Sequence, residues 1–326
     1  MGGGTKLSVS TGELHSNGQL RADKRKKIYA KLWRDRYLYL LILPGVLFFL
    51  VYRYIPMLGI VIAFQNFSPF LGFRGSEWVG LQHFRTIFAD PEVMRVIWNT
   101  LYLSFLQIVF AFPAPIILAL LLNELRSELY KRLIQTIVYM PHFLSWVIVV
   151  GIFVIFLRGD GLVNNFLETV LGMEQSVGFL TNPDFFRPLI VLQVIWKEIG
   201  WGTIIFLAAL AGVNPELYEA ATVDGANRWR KMWHITLPAI RTVIVILFIL
   251  RLGSVMDSGF EQIFLMLNSF NREIGEVLDT YVYYKGIQQT DYSFATAVGL
   301  FKSIVGLVLI VGANYLAKRF GQEGVY

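Results

Sequence analysis

Six apolar segments, each long enough to cross a bilayer, constrain this chain of 326 residues more than any other feature. They lie near 38–63, 96–122, 134–157, 187–211, 240–265 and 295–317. A helical span needs about 20 apolar residues, and hydrocarbon admits only backbones that satisfy their own hydrogen bonds. Composition agrees, since 55% of residues are hydrophobic and only 16% charged. The sequence therefore predicts an all-α membrane protein of six transmembrane helices. Residues 1–37 read as a basic tail and 38–326 as the transmembrane domain. The first segment is an anchor rather than a cleavable signal, because it is too long, follows a 37-residue leader and lacks a small-residue cleavage site. The leader is expected to be disordered up to about residue 25.

The net charge of +6 is not a nucleic-acid signature, since Arg21 to Arg36 alone carries eight Lys or Arg. With no cysteine there is no disulfide, iron–sulfur or thiol chemistry. His15, His83, His142 and His234 are isolated, so no metal site is expected.

Basic residues set the orientation, because cytosolic loops carry the excess of Lys and Arg. With the N-terminus inside, the segments 1–37, 123–133, 212–241 and 318–326 hold 18 of them, against 7 on the opposite side. Both termini and the loop at 214–238 are thereby expected in the cytosol. On the outer side Asp90-Pro91-Glu92 reads as a helix start ahead of the second span, and a short interfacial helix is expected around Phe166 to Leu171. Pro113 and Pro115 are expected to kink the second span, and Pro44 the first.

The cytosolic loop between the fourth and fifth segments is built to present a short helix. Asn214 can cap it, Pro215 fits its first turn and Glu216 suits the positive end of its dipole. Gly225 permits a left-handed turn, and Pro238 closes a second helix before the next apolar run. Ala220 and Ala221 leave a face open to close approach, with Glu219 as an anionic handle. The row Glu219-Ala220-Ala221, three residues, Gly225, nine residues, Ile235, one residue, Leu237-Pro238 resembles the EAA loop of binding-protein-dependent ABC importer permeases of the maltose-transporter type. The flanking Leu217-Tyr218 and Asp224-Gly225-Ala226 resemble the carbohydrate branch of that family. The stretch from Gly253 to Phe264 and Asp279-Thr280-Tyr281 are similar to the branch handling complex oligosaccharides or polysaccharide fragments.

The resemblance implies a type I importer permease of the bacterial inner membrane that moves such saccharides inward by alternating access. Glu219, Ala220, Ala221, Asp224, Gly225, Ile235, Leu237 and Pro238 would couple it to an ATPase groove. It implies a working unit of two permease chains, with a heterodimer favoured, two ATPase chains and an external solute-binding protein. No G-x-x-x-x-G-K-[ST] occurs in the sequence, so the chain is not expected to bind or hydrolyse ATP itself; the resemblance implies a non-catalytic subunit with no cofactor of its own, ATP and Mg binding the partner ATPases.

Charges inside spans are the remaining clue, each costing about 2.5–3.5 kcal/mol near the bilayer centre. Arg251, Asp257 and Glu261 together approach about 9 kcal/mol if they face lipid, so some must face protein or water. Asp257 and Glu261, four apart, share one helical stripe. Opposite running directions put Asp257 and Lys302 at similar depth, facing each other or a shared cavity. On the fourth span, Trp196 and Trp201 could stack on sugar faces while Glu198 binds hydroxyls. The structural alternative is that these charges glue helices together and the aromatics anchor interfaces. A secondary transporter or channel for a small polar solute is the competing function, but it leaves the cytosolic loop without a purpose.

Overall fold

The computed structural model describes residues 31, 33–319, 321 and 324, so the expectations for the leader lie outside the described residues. Two compact units divide the chain after Ile60. The first contains the helix Arg36–Phe49, the π turn Leu50–Tyr54 and the helix Ile55–Met57. Pro44 lies within the helix Arg36–Phe49.

The second unit begins with a two-stranded antiparallel pair, Gln65–Asn66 against Glu77–Trp78, and is otherwise helical. Among the described residues, five helices are long and apolar enough to cross a membrane: Arg36–Phe64, Pro91–Asn123, Trp146–Leu171, Pro183–Ala211 and Tyr292–Arg319. A sixth is counted if Arg228–Ala239 and Arg241–Gly253, bent by 59°, form one span.

Four of the six expected segments correspond closely to these helices, and two need correction. The segment 134–157 is not one helix. It divides into Glu128–Tyr139, a 3-10 turn at Met140–Phe143 and a new helix Trp146–Leu157. Pro141 removes a helical donor, and Ser145, in extended conformation, caps the new start by accepting from the Ile148 amide at 3.4 Å. The segment 240–265 is likewise broken, into Arg241–Gly253 and Phe260–Met266. Gly259 sits between them at φ +90°, a conformation that side-chain-bearing residues resist. The break removes the helical stripe expected to join Asp257 to Glu261. The Ser104 hydroxyl donates to the Val255 carbonyl that the break leaves without a helical partner.

The expected short helix around Phe166 exists as Leu162–Leu171, but Trp146–Leu171 counts as a single 26-residue candidate span. At Asp90 the expected cap is present, its carboxylate accepting from the Glu92 amide at 2.8 Å.

Three prolines share one solution. Pro56, Pro113 and Pro238 each follow a π turn, at Leu50–Tyr54, Gln107–Ala111 and Met232–Thr236. A proline ring collides with the carbonyl four residues back; widening the preceding turn by one residue moves that carbonyl aside. The helix thus absorbs Pro113 within the unbroken stretch Pro91–Asn123.

Two cores knit the helices of this unit together and a third supports the loop. Val93, Val96 and Ile97 pack with Val255, Met256, Leu278 and Val298. Leu103, Val150, Ile190, Ile263 and Met266 form the second cluster. Ile116, Ala119, Phe206, Leu210 and Ile240 form the third, where the second and fourth spans end and the fifth begins.

Candidate functional site

The loop between Ala211 and Arg241 folds as a helical hairpin. Its first helix, Pro215–Val223, starts where the Asn214 side chain accepts from the Glu216 amide at 3.0 Å. It stops at Gly225, whose φ of +75° turns the chain, and the Ala226 amide closes the end on the Ala221 carbonyl at 2.8 Å. Asn227 then caps Arg228–Lys231 by accepting from the Arg230 amide at 2.9 Å. Pro238 lies in the last turn, Leu237–Ala239, and the 59° bend follows at Ile240.

Two side-chain contacts hold the limbs together. Tyr218 Oη meets Thr236 Oγ1 at 3.0 Å, and Lys231 Nζ donates to Thr222 Oγ1 at 2.6 Å. Thr236 and Ile240 are buried, and Ile240 belongs to the third core, so the hairpin is seated on the ends of two spans. Glu219, Ala220, Asp224 and Gly225 are exposed, while Ala221, Ile235 and Leu237 are half-buried. Val223 is 88% exposed, which leaves an apolar tip beside an acidic face. Such a surface suits a protein groove better than water.

The fourth-span residues gather around a residue that the sequence left isolated. Glu198 Oε2 lies 2.8 Å from His142 Nδ1, and the His142 ring stacks on Trp201 with centroids 4.5 Å apart. Lys197 is buried, its Nζ donating to the His142 carbonyl at 2.6 Å. Gly200 makes this approach possible, since a Cβ there would sit 2.2 Å from the Val138 carbonyl oxygen. Trp196 instead packs edge-on to Phe153. The side chains expected to receive sugar thus meet the break in the third segment, and one face of Trp201 is already covered.

Asp257 and Lys302 are brought together, and Asp279 joins them: Lys302 Nζ bonds both carboxylates. They line a cavity of about 360 Å³ with Gly253, Gly299 and Ser303. Gly306 allows the last span to press on the Gly253 carbonyl, where a Cβ would come within 2.6 Å. Glu261 is exposed and does not belong to this cluster. Arg251 donates to Gln107 Oε1.

Residues 111–322 match the sequence profile of the binding-protein-dependent transport system inner membrane component. The chain belongs to that family. It is a non-catalytic permease subunit of the cell membrane, and the competing reading as a secondary transporter or channel falls away. The permease is 56% identical over 308 residues to protein LplB of Bacillus subtilis strain 168, covering 94% of this chain and 96% of that one. It is 54% identical over 306 residues to the polygalacturonan/rhamnogalacturonan transport system permease protein YteP of the same organism, covering 94% and 95%. Among solved structures it resembles a chain of a bacterial alginate ABC transporter in complex with alginate pentasaccharide-bound periplasmic protein. That match has a TM-score of 0.85 and 42% identity, and covers 92% of the permease and all of that chain.

Sequence reasoning missed two members of these clusters. A lone histidine behind Pro141 carries no spacing signal, so His142 was invisible as the partner of Glu198. Asp279 stands in the motif quoted for the saccharide branch, but nothing in its spacing pointed to Lys302, 23 residues later.

Proposed function

We propose that this permease carries oligosaccharide or polysaccharide fragments into the cytosol, receiving them from an external solute-binding protein. The observation that carries the reading is the extent of the likeness: more than nine-tenths of the chain aligns with a permease named for polygalacturonan and rhamnogalacturonan, and with an alginate importer chain. Its working unit is two permease chains, a heterodimer in preference to a homodimer, with two ATPase chains that bind ATP and Mg. The placement of Lys and Arg supports cytosolic termini and a cytosolic hairpin.

Coupling runs through the hairpin. Glu219, Ala220, Ala221, Asp224 and Gly225 meet the ATPase groove, while Ile235, Leu237 and Pro238 carry its displacement to the spans. The seating of Ile240 among Phe206, Leu210 and Ile116 supports this, because rigid packing transmits a push. The sugar path runs by Trp196, Glu198, Trp201, Asp257 and Lys302, with Glu261 alongside. ATP closes the ATPase pair, the hairpins move together and the cavity opens outward; hydrolysis resets it.

The test is Glu219→Lys in the assembled importer. Saccharide-stimulated ATP hydrolysis should be lost while membrane insertion is retained. Normal transport by that variant would remove the hairpin from the coupling route.

A further inference from the structure

We propose that a basic pocket beside the hairpin holds the phosphate group of an anionic phospholipid. The pocket, of about 360 Å³, is lined by Asn123, Glu124 and Arg126 beyond the second span and by Tyr218, Arg228 and Lys231 of the hairpin. Three cations face it with one acid. Among the described residues no ion pair joins Glu124 to any of the three. Lys231 spends one donor on Thr222 and keeps two; Arg126 and Arg228 are exposed and line the pocket. Guanidinium and ammonium donors converging on one cavity suit a tetrahedral oxyanion, while the Tyr218 phenol, bonded to Thr236, forms part of the wall.

The surroundings favour a lipid as the source of that anion. Trp229 and Trp233, on the same stretch as Arg228 and Lys231, are 70% and 59% exposed. Exposed indoles beside clustered Lys and Arg are the composition of the headgroup layer. The limb Arg228–Ala239 is turned 59° from Arg241–Gly253. When the latter stands across the bilayer, the limb lies nearer the membrane plane than its normal. The surface offered to the ATPase is chemically different: Glu216 and Glu219 are acidic, and Glu219 points about 100° around the helix from Tyr218. The inference rests on the cytosolic placement of the hairpin given above. It adds a lipid-dependent brace where the second span meets the coupling element.

The experiment uses the full importer in nanodiscs containing labelled phosphatidylglycerol and phosphatidylcholine, with retention of each lipid measured on purification. Each neutralised cation should reduce the preference for phosphatidylglycerol about fivefold, so the double variant Arg126→Gln with Arg228→Gln should lose about 25-fold. Arg228→Lys should keep the preference, and Glu219→Lys should keep it while losing coupling, which separates failure of the pocket from failure of the coupling route. An unchanged preference in the double variant overturns the proposal. So does displacement of the lipid by excess inorganic phosphate, which would make the ligand a soluble anion. Loss of the ATPase chains from the double variant with lipid preference intact also overturns it, in favour of a protein contact.

Discussion

The imidazole of His142 lies flat on the indole of Trp201, with centroids 4.5 Å apart and planes 5° apart. The same ring reaches Glu198 through Nδ1. A histidine in the break of the third segment thereby sets the posture of Glu198 and Trp201, two of the three fourth-span residues proposed to meet sugar. An offset aromatic pair contributes about 0.5–1.5 kcal/mol beyond its burial. His142→Ala should release Trp201 and raise the half-saturating saccharide concentration severalfold, with ATPase assembly unaffected. His142→Phe retains the stack and loses the Glu198 contact, so it should fall between wild type and alanine. Equal uptake kinetics in all three proteins would separate this cluster from the sugar path.

Close packing at Gly200 yields a stability prediction. A methyl group there must displace the backbone of Val138 and Tyr139, with contacts of 2.2 to 2.9 Å, and backbone yields poorly. Gly200→Ala should lower stability by about 1–3 kcal/mol, as overpacking does. Gly151→Ala is the control, because nothing lies within 4 Å of its added Cβ. Thermal unfolding of the two purified variants should differ by several degrees, and coincident curves would contradict the packing described.

How much was legible in the sequence depends on whether the determining physics is local. The first limb of the hairpin was legible residue by residue, because Asn214 and Gly225 act through their own backbone chemistry, whereas Pro238, expected to close the second helix, is carried inside it by a π turn and the break falls at Ile240. Long apolar runs revealed most spans for the same reason. Hydropathy could not reveal the breaks at Met140–Ser145 and Ser254–Gly259, since both lie within runs that stay apolar on either side. The depth argument paired Lys302 with Asp257, but a second carboxylate on another helix required the tertiary arrangement. Glu261 does not share a stripe with Asp257, because Gly259 interrupts the helix that was to align the two.

The two carboxylates on Lys302 should prove unequal. The Asp279 side chain is 22% exposed and that of Asp257 60%, so solvent screens the second pairing far more. Asp279→Asn should therefore destabilise the permease more than Asp257→Asn. Lys302→Met should exceed both, leaving two neighbouring acids without their cation. Melting temperatures of the three variants give the order directly, and an Asp257 effect equal to that of Asp279 would show that exposure does not govern this cluster.

Gly225 offers a test of the hairpin that leaves its charge untouched. At φ +75° the left-handed conformation costs an ordinary residue about 1–2 kcal/mol, whereas asparagine tolerates it better. No atom lies within 4 Å of a Cβ built there, so a substitution acts through backbone strain and not through collision. Gly225→Val should re-aim Pro215–Val223 and uncouple ATP hydrolysis from saccharide, while Gly225→Asn should retain most of the coupling. Membrane insertion should be normal in both, because the turn lies outside the spans. If valine couples as well as asparagine, the orientation of the first limb is not what engages the ATPase.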